Sequence, residues 1–304
     1  MINYVRHNEI DLVKWDGCID RSLNGNFSAY SWYLNCVCPG WDALVEGDYE
    51  TIMPLPNKSK FGIRYIFPPF FVNQLGVFSG IPLTSEKTDL FLKNIPSEFK
   101  FVQAGLNSDC VPSSGNFHPE KKKCQFISLK KSFDEIEKTF SENLKRNLKK
   151  AGKNGMLLSS DVSAGELTEQ FRRGRGEALG HFTGSEYIML QSLLESIIKN
   201  GKGWIAGCRS SDGELLCSAF FCQSHNRITY LKGGASDRGK ETGAMHFLFS
   251  DVLQKHSGSG MIFDFGGSSV PSVARFNNSF GAGDYFYYEL KRNTLPFFLR
   301  WMKK

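Results

Sequence analysis

Residues 261–283, with the sequence MIFDFGGSSVPSVARFNNSFGAG, decide how the fold of this chain is interpreted. The first five are apolar on both faces apart from one acid, Asp264, which is typical of a central strand covered on both sides. Gly266 and Gly267 follow, where glycine permits a close approach or a positive φ. We expect a polar loop and a second turn, at Phe280, to complete the segment. An acid at the end of a buried strand indicates the edge of a ligand cleft; an acid that caps the next turn is the structural alternative.

The composition bounds the class of protein. The 304 residues are enough for one large domain or two medium ones, and 41% of them are hydrophobic. The net charge of +6 favours anionic partners such as phosphates or acidic surfaces, but it is modest for a dedicated nucleic-acid binder. No apolar run is long enough for a transmembrane helix, and the first residues lack a signal pattern, so a cytoplasmic protein is expected.

The cysteine and histidine patterns point away from metal chemistry. The eight cysteines are scattered without a CxxC pair, which fits reduced thiols in the cytoplasm. The six histidines show no HExxH spacing. No metal site is therefore predicted.

The second half of the chain has the clearer order of elements. A capping box at Thr183 predicts a helix that ends at Asn200. Three antiparallel strands follow, then a polar loop over residues 235–242, a helix from Gly243, and two further strands. We place these strands at residues 203–208, 214–223, 227–233, 261–265 and 284–291.

The first half repeats this order with little sequence identity. It is predicted to contain helices at residues 27–37 and 85–94, with a turn at residues 56–59 between two of its strands. The strands are placed at residues 41–45, 49–55, 61–67 and 99–104. Two tandem copies of one α/β unit are therefore predicted, an N-terminal domain over 1–128 and a C-terminal domain over 129–304.

A basic helix is predicted between the halves. A capping box at Ser132 opens it, and it is expected to continue to residue 153. Its last part is rich in cations, which suits the helix dipole. These are Lys145, Arg146, Lys149, Lys150 and Lys153. A solvated helix end is the structural explanation; a stripe that faces an anion in the cleft between the domains is the functional one.

Residues 238–244 predict a phosphate cradle. The N–H groups at the start of a helix attract anions, and Gly239 and Gly243 let the backbone come close to a ligand. Arg238 and Lys240 would add charge-assisted contacts, and Ala244 would open the helix. The spacing fits neither a Walker A loop nor GxGxxG, which disfavours nucleotide kinases and dehydrogenases. A solvent loop before a capped helix is the alternative.

The placement of this cradle resembles the GNAT acyltransferase fold. In that family two strands part, the acyl-CoA thioester enters the wedge, and its pyrophosphate lies on the loop before the helix. The resemblance places the wedge between residues 229–233 and 262–265. The family loop, Gln/Arg-x-x-Gly-x-Gly/Ala, is matched here with one glycine displaced.

A closer resemblance covers most of the chain. Residues 147–155 are similar to the basic Asn-x-Arg/Lys-x-Ala-x-Lys-x-Gly segment of the Fem-type peptidoglycan-bridge aminoacyltransferases. Residues 264–267, with Phe276 and Phe280, are similar to their Asp-Phe-Gly-Gly…Phe-Lys…Phe-Gly signature. Two features depart from that family: its lysine after the first phenylalanine is Asn277 here, and residues 165–180 are too short and glycine-broken for its coiled-coil arm.

The resemblance implies a fold and an activity. The fold is α/β (α+β), a tandem duplication of GNAT-like domains with mixed central sheets flanked by helices. The activity is transfer of an acyl or aminoacyl group from a CoA thioester or an aminoacyl-tRNA to a small-molecule or peptide-like amine. The co-substrate would be acyl-CoA, with tRNA less favoured and no tightly bound cofactor. DNA is not an expected partner, and the protein is expected to be a monomer or a homodimer.

The resemblance also implies catalytic roles. Asp264 would act as the general base, directly or through water. Tyr230 or Tyr285 would donate a proton to the leaving group, and Lys232 would neutralise phosphate or position an acid. Backbone N–H groups of the parted strand would stabilise the oxyanion.

Aromatic residues are predicted to line the acceptor groove, although core packing is the alternative for each. They are Tyr30, Trp32, Phe276 and Phe280. The first-half loop at residues 73–80 is apolar and uncharged, so that half is interpreted as a degenerate copy that shapes this groove.

Two further functions stay open. A tandem module without catalysis that binds an acyl or peptide ligand is favoured by Asn277. Nucleic-acid binding through residues 145–153 and 172–175 is disfavoured by the modest charge and the lack of a recognised motif.

Overall fold

The computed structural model describes residues 1–113, 117–180, 182–267 and 270–296. The chain forms two compact units. The first comprises Met1–Lys123 with Tyr285–Lys304, and the second comprises Cys124–Asp284. One boundary after residue 128 was predicted, with the last strand in the second domain, whereas most of that strand belongs to the first unit.

The strands of the described residues fall in both units. In chain order they are β1 Ile2–Val5, β2 Asp42–Glu46, β3 Thr51–Leu55, β4 Asn57–Lys60, β5 Ile63–Ile66, β6 Phe78–Ser79, β7 Phe99–Leu106, β8 His118–Ser128, β9 Leu157–Ser159, β10 Gly203–Arg209, β11 Leu215–Ser224, β12 Arg227–Ala235, β13 Ile262–Gly267 and β14 Gly283–Asn293.

The helices flank these strands. In chain order they are α1 Leu12–Arg21, α2 Ser31–Val37, α3 Ser85–Lys93, α4 Phe133–Glu137, α5 Glu142–Lys153, α6 Ala164–Phe171, α7 Glu177–Leu179, α8 Gly184–Lys199, α9 Asp237–Thr242, α10 Ala244–His256 and α11 Pro271–Ser279. A π-helical turn, Arg172–Gly176, connects α6 to α7. None of the described helices has the length and apolar character needed to cross a membrane.

The two units repeat one order of elements. In each unit an opening strand is followed by helices, antiparallel strands, helical structure and a further strand, and the second unit adds β9 and more helices before its antiparallel strands. Each also contains a parallel pair of strands, β5 with β7 in the first unit and β12 with β13 in the second. The predicted tandem duplication is therefore confirmed.

The sheets are mixed, as predicted. In the first unit, β1-β2-β3-β6 form one sheet, and β4, β5, β7 and β14 lie side by side in another. In the second unit the order is β8-β13-β12-β11-β10-β9. This order gives β13 a neighbouring strand on each side, β8 and β12, so it is an interior strand, as the apolar run at the start of residues 261–283 predicted.

Three segments predicted as turns or loops are regular elements instead. Residues 57–60 form β4, since Phe61 and Gly62 both have positive φ and make a tight hairpin to β5. Residues 237–242 form α9, because the Ser236 hydroxyl accepts a hydrogen bond from the Gly239 N–H at 3.1 Å and caps the helix. Residues 271–279 form α11, which Pro271 opens at its first position.

Two predicted helices are divided. The helix expected from Ser132 to residue 153 is interrupted, because Ser141 starts a new helix by accepting a hydrogen bond from the Leu144 N–H at 3.2 Å. The basic residues therefore all lie on α5. The helix expected at residues 27–37 is a short 3₁₀ turn, Phe27–Ala29, followed by α2.

Aromatic rings form the core of the second unit. Phe249 of α10 contacts Phe221 and Phe263 of the sheet at ring-centroid distances of 5.5 and 5.8 Å. Phe265 stacks on the same ring at 5.9 Å. These contacts fix α10 against β11, β12 and β13.

On the other face, α6 lies unusually close to β12. A Cβ on Gly234 would lie 2.7 Å from the Gln170 carbonyl oxygen and 3.0 Å from the Phe171 nitrogen, both backbone atoms. Backbone atoms cannot move aside as a side chain can, so only glycine fits here.

Gly234→Ala should therefore lower the free energy of unfolding by about 1–3 kcal/mol, because helix and strand must separate. Urea denaturation would measure the change. Gly152→Ala in α5 is the matched control, since its added Cβ meets nothing within 4 Å and alanine favours a helix by up to about 1 kcal/mol. Equal stability of both variants would contradict the close contact between α6 and β12.

Candidate functional site

The pairing between β12 and β13 stops part-way along β12. The two strands pair in parallel from Arg227 with Ile262 to Thr229 with Asp264. Beyond that point β12 continues to Ala235, where it still pairs with β11. We call the space between residues 230–235 and 265–267 the wedge. The sequence resemblance placed the wedge between residues 229–233 and 262–265, whereas residues 262–264 are still paired with β12 and the strands part only after Asp264.

Both strands are irregular where the wedge begins. Leu231 is an extra residue in β12, since Tyr230 lies opposite Phe221 and Lys232 lies opposite Phe220. In β13 the register with β8 shifts between Asp264 and Gly267. Bulges of this kind are common beside active sites, because they redirect the strand and free its backbone groups from the regular pairing.

Asp264 holds the bulge of β13. It is 4% exposed. One carboxylate oxygen accepts a hydrogen bond from the Gly266 N–H at 2.8 Å, and the other accepts one from Arg227 Nη1 at 2.7 Å. Gly266 adopts a φ of +73°, which glycine tolerates at no cost. The carboxylate thus lies at the closed end of the wedge in a positioning arrangement, and its role as general base stays a prediction.

Tyr230 and Lys232 extend to opposite faces of the sheet, because their cross-strand partners are consecutive residues. The Tyr230 ring packs on Phe249 at 5.0 Å, and burial raises the pKa of its hydroxyl well above the usual value. The Lys232 ammonium lies 5.4 Å from the centroid of the Phe171 ring. Burial, followed by the nearby charge of Arg175, lowers the pKa of Lys232 to about 8.

The π-helical turn covers the face that Lys232 occupies. Gly174 lies so close to β12 that its Cβ would be 3.2 Å from the Ala235 carbonyl oxygen. The charge of Arg175 acts on the pKa of both Tyr230 and Lys232. No catalytic role was predicted for Arg175. The signal for it is the Arg-Gly-Arg-Gly run, since π turns in helices are frequent at functional sites.

A cavity of about 660 Å³ lies where β12 ends. It is open to solvent and is lined by α6, the π-helical turn, the start of β11 and the start of α9. The lining residues are Gly165, Glu166, Glu169, Gln170, Arg173, Gly174, Leu215, Ala235, Ser236, Asp237 and Lys240. Its walls therefore carry positive and negative side chains as well as apolar surface.

In the first unit, a loop of the chain itself occupies the position that corresponds to the wedge. Leu75 forms a parallel bridge to Leu106 of β7, beyond the last pair between β5 and β7. A Cβ on Gly105 would lie 2.2 Å from the Asn73 carbonyl oxygen, so this loop is pressed against β7. The cavity in this region measures only about 20 Å³.

The cations of the predicted phosphate cradle form ion pairs with carboxylates of the protein. Arg238 forms ion pairs with Asp212 at 3.0 Å and Glu214 at 2.9 Å. Lys240 pairs with Asp237 at 2.8 Å. These acids are distant in sequence or in a segment predicted as loop, so the pattern did not indicate them.

The glycines of that segment have structural reasons of their own. A Cβ on Gly239 would lie 2.0 Å from the Leu216 carbonyl oxygen, which brings α9 onto β11. Gly243 has a φ of +76° and allows the chain to turn from α9 into α10 at Ala244. Their contact with a donor stays a prediction.

The predicted aromatic residues pack within their own units. Phe280 is fully buried, and Phe276 lies 4.7 Å from the His246 ring. Burial lowers the pKa of His246 to about 4, so this imidazole is neutral in the core. In the first unit, Tyr30 stacks on Trp32 at 5.6 Å. Core packing fits Tyr30 and Phe280, which are buried, whereas Trp32 and Phe276 keep partial exposure, and their place in an acceptor groove stays a prediction.

Two tyrosines that were predicted as site residues form hydrogen bonds through their hydroxyls within the first unit. The Tyr30 hydroxyl donates to Asp20 at 2.5 Å. The Tyr285 hydroxyl accepts a hydrogen bond from Gln74 at 3.2 Å. Any catalytic role of Tyr285 stays a prediction.

Asn277 is 2% exposed on α11. Its side-chain nitrogen has no hydrogen-bond partner among the described residues. The position that carries lysine in the Fem-type signature is thus buried and almost inaccessible to solvent in this chain.

Asn277→Lys should lower the free energy of unfolding by about 3 kcal/mol or more, because a charge would be buried without a partner. Asn277→Leu should change it by less than about 1 kcal/mol, since no hydrogen bond is lost. Thermal and urea unfolding of both variants would test this. A lysine variant as stable as the leucine variant would show that the site opens to solvent.

Lys232 should make stability depend on pH. Its pKa falls from the usual 10.5 to about 8 in the folded protein. Between these values the unfolded chain binds more protons, so the free energy of unfolding should rise with pH by at most about 3 kcal/mol. Below pH 8 this contribution is flat. The difference between the parent protein and Lys232→Met in urea denaturation, followed from pH 7 to pH 10.5, measures it; identical curves would show that the ammonium is solvated.

Solved structures share this architecture at low sequence identity. FemX matches with 12% identity and a TM-score of 0.65, over 94% of this chain and 96% of that one. The C-terminal domain of a putative lysylphosphatidylglycerol synthetase from Agrobacterium fabrum matches with 12% identity and a TM-score of 0.57, over 93% and 92%. A tandem GNAT protein from the clavulanic acid biosynthesis pathway matches with 11% identity and a TM-score of 0.52, over 97% and 99%.

Comparison of sequences alone finds no relative. No family model matches the chain, and no curated protein matches it. The structural matches extend over nearly the whole of both chains, and at this identity they establish the fold. The chain therefore has the Fem-like tandem GNAT fold that its sequence motifs implied.

Proposed function

We propose that the second unit transfers an acyl or aminoacyl group from an activated ester or thioester to an amine. The observation that carries this proposal is the wedge: pairing between β12 and β13 ends after Thr229 and Asp264, and a cavity of about 660 Å³ adjoins the end of β12. An extended donor fits between parted strands, where it can pair with backbone groups that the neighbouring strand no longer occupies.

The bulge at Leu231 supplies the electrostatic part of this chemistry. A residue outside the regular pairing can direct its N–H into the wedge, where it stabilises the oxyanion that forms when the amine attacks the carbonyl carbon. Because the strand is rigid, this group needs no reorganisation during the reaction.

Lys232 and Tyr230 suit the two proton transfers. With a pKa of about 8, Lys232 is partly neutral near physiological pH and can accept the proton that the attacking amine loses. Burial raises the pKa of Tyr230, so its hydroxyl stays protonated and can donate to the leaving sulfur or oxygen as the bond to the carbonyl carbon breaks. Asp264, tied to Arg227, then acts by positioning β13.

A CoA thioester is the first donor to test, and an aminoacyl-tRNA the second. Lys240 lines the cavity, and Arg238 lies on the same short helix. A phosphate group could replace their carboxylate partners, which are exposed and thus weakly held. A small amine or a peptide-like amine is the proposed acceptor.

A thermal-shift screen of the full chain against acyl-CoAs, charged tRNA and free amino acids tests the donor. A donor present at about 100 times its Kd stabilises the folded state by about 2.7 kcal/mol. Turnover with that donor and a panel of amines should follow. Lys232→Met should lower kcat by about 10²-fold or more and remove the rise of rate with pH near 8.

Asp264→Asn distinguishes the two candidate bases. It keeps an oxygen for the Gly266 N–H, so a positioning role predicts a modest loss of turnover with an unchanged pH profile. Loss of turnover as large as that of Lys232→Met, in a folded variant, would return the base role to Asp264. Stabilisation by an acyl or peptide ligand without any transfer would favour the binding module that the sequence left open.

A further inference from the structure

The exposed face of α5 is almost entirely cationic. Leu144 and Ala151 are fully buried against the core of the second unit, and Leu148 packs beside them. At 3.6 residues per turn, every cation of the helix falls on the opposite side. These cations are Lys145, Arg146, Lys149, Lys150 and Lys153, and all are exposed.

Most of this charge is not neutralised by the protein. Lys145 pairs with Glu142 at 3.0 Å, and Lys150 donates to the Glu241 carbonyl oxygen at 2.8 Å, which fixes α5 to the end of α9. Within the part of the chain that the structure describes, Arg146, Lys149 and Lys153 form no ion pair. Three adjacent positive charges on a rigid helix therefore face solvent.

Exposed aliphatic side chains lie directly beyond the helix. Leu157 is 60% exposed and Leu158 is 40% exposed on β9, the edge strand of the second unit's sheet. Met156 is buried and holds the connection in place. Since only three residues separate Lys153 from Leu157, Leu157 lies within about 14 Å of the end of the basic face and Leu158 within about 18 Å. We call this combination the α5–β9 surface.

We propose that the α5–β9 surface docks on an anionic lipid bilayer. The charge is complementary to acidic headgroups, and each cation close to such a membrane strengthens binding about fivefold. Consecutive residues of a strand point to opposite faces, so one of the two leucines can enter the boundary between headgroups and acyl chains, as the apolar side of an interfacial segment does. This property goes beyond acyl transfer and does not depend on it.

The residue types favour lipid over nucleic acid. Single-stranded RNA and DNA are held by aromatic side chains that stack on the bases, and α5 carries none. Exposed leucines contribute little to a phosphate backbone but match the acyl region of a bilayer. The expected contact is peripheral and reversible, because a cationic patch with two aliphatic side chains is far weaker than a spanning helix.

Vesicle co-sedimentation of the full chain tests the proposal. Vesicles of phosphatidylcholine with about one third phosphatidylglycerol should bind the protein, and pure phosphatidylcholine should not. Raising the salt from about 50 mM to about 500 mM should release it. The triple variant R146A/K149A/K153A should bind roughly 100-fold more weakly. It should fold normally, because alanine is the best helix former.

Two controls are needed. One distinguishes the position of the cations from their number, and the other distinguishes lipid binding from nucleic-acid binding. K93A/K100A/K199A removes the same number of exposed cations elsewhere and should leave vesicle binding unchanged. L157S/L158S should weaken vesicle binding severalfold while leaving binding to a single-stranded RNA oligonucleotide as it was. Equal losses in both triple variants would overturn the proposal, as would vesicle binding unaffected by the α5 substitutions. RNA binding that needs the α5 cations but not the leucines, with no binding to vesicles, would assign the surface to nucleic acid.

Discussion

The carboxylate of Asp264 determines where β12 and β13 part. It joins the Arg227 guanidinium to the Gly266 N–H, and so fixes the last residue pair of the ladder and the bulge that follows. Without a bulge at this point β13 would continue beside β12, and the wedge would close. The aromatic core under α10 and the glycine contacts under α6 then hold β12 in place from both faces. The cavity at the end of β12 depends on all three.

The two units show what one fold does with and without this opening. In the first unit, Leu75 occupies the position beside β7 that the wedge leaves open in the second unit. Its loop has no charged side chain to attract an anion, and Gly76 and Gly105 let it pack directly on the strand. The position that matches the wedge is occupied there by backbone that cannot leave without losing its hydrogen bonds to β7 and the residue after it. The interpretation of the first half as a degenerate copy stays a prediction.

Local patterns in the sequence predicted much of the fold. The capping boxes at Ser132 and Thr183 are present, and the apolar run before Gly266 is a central strand. What could not be predicted depends on partners distant in the chain. Arg227 lies 37 residues before Asp264, and the acids that bind Arg238 precede it by 26 and 24 residues. The π-helical turn was not predicted either, because hydrophobic periodicity does not reveal an extra residue in a turn.

That turn has an evolutionary consequence. A π turn accommodates one residue more than an α turn, and the helices on either side keep their own hydrogen bonds. Removal of one residue from this turn would therefore rotate Arg175 away from β12 while α6 keeps its packing on Gly234. Gain or loss of one codon could in this way add or remove a charge at the wedge without disturbing the sheet.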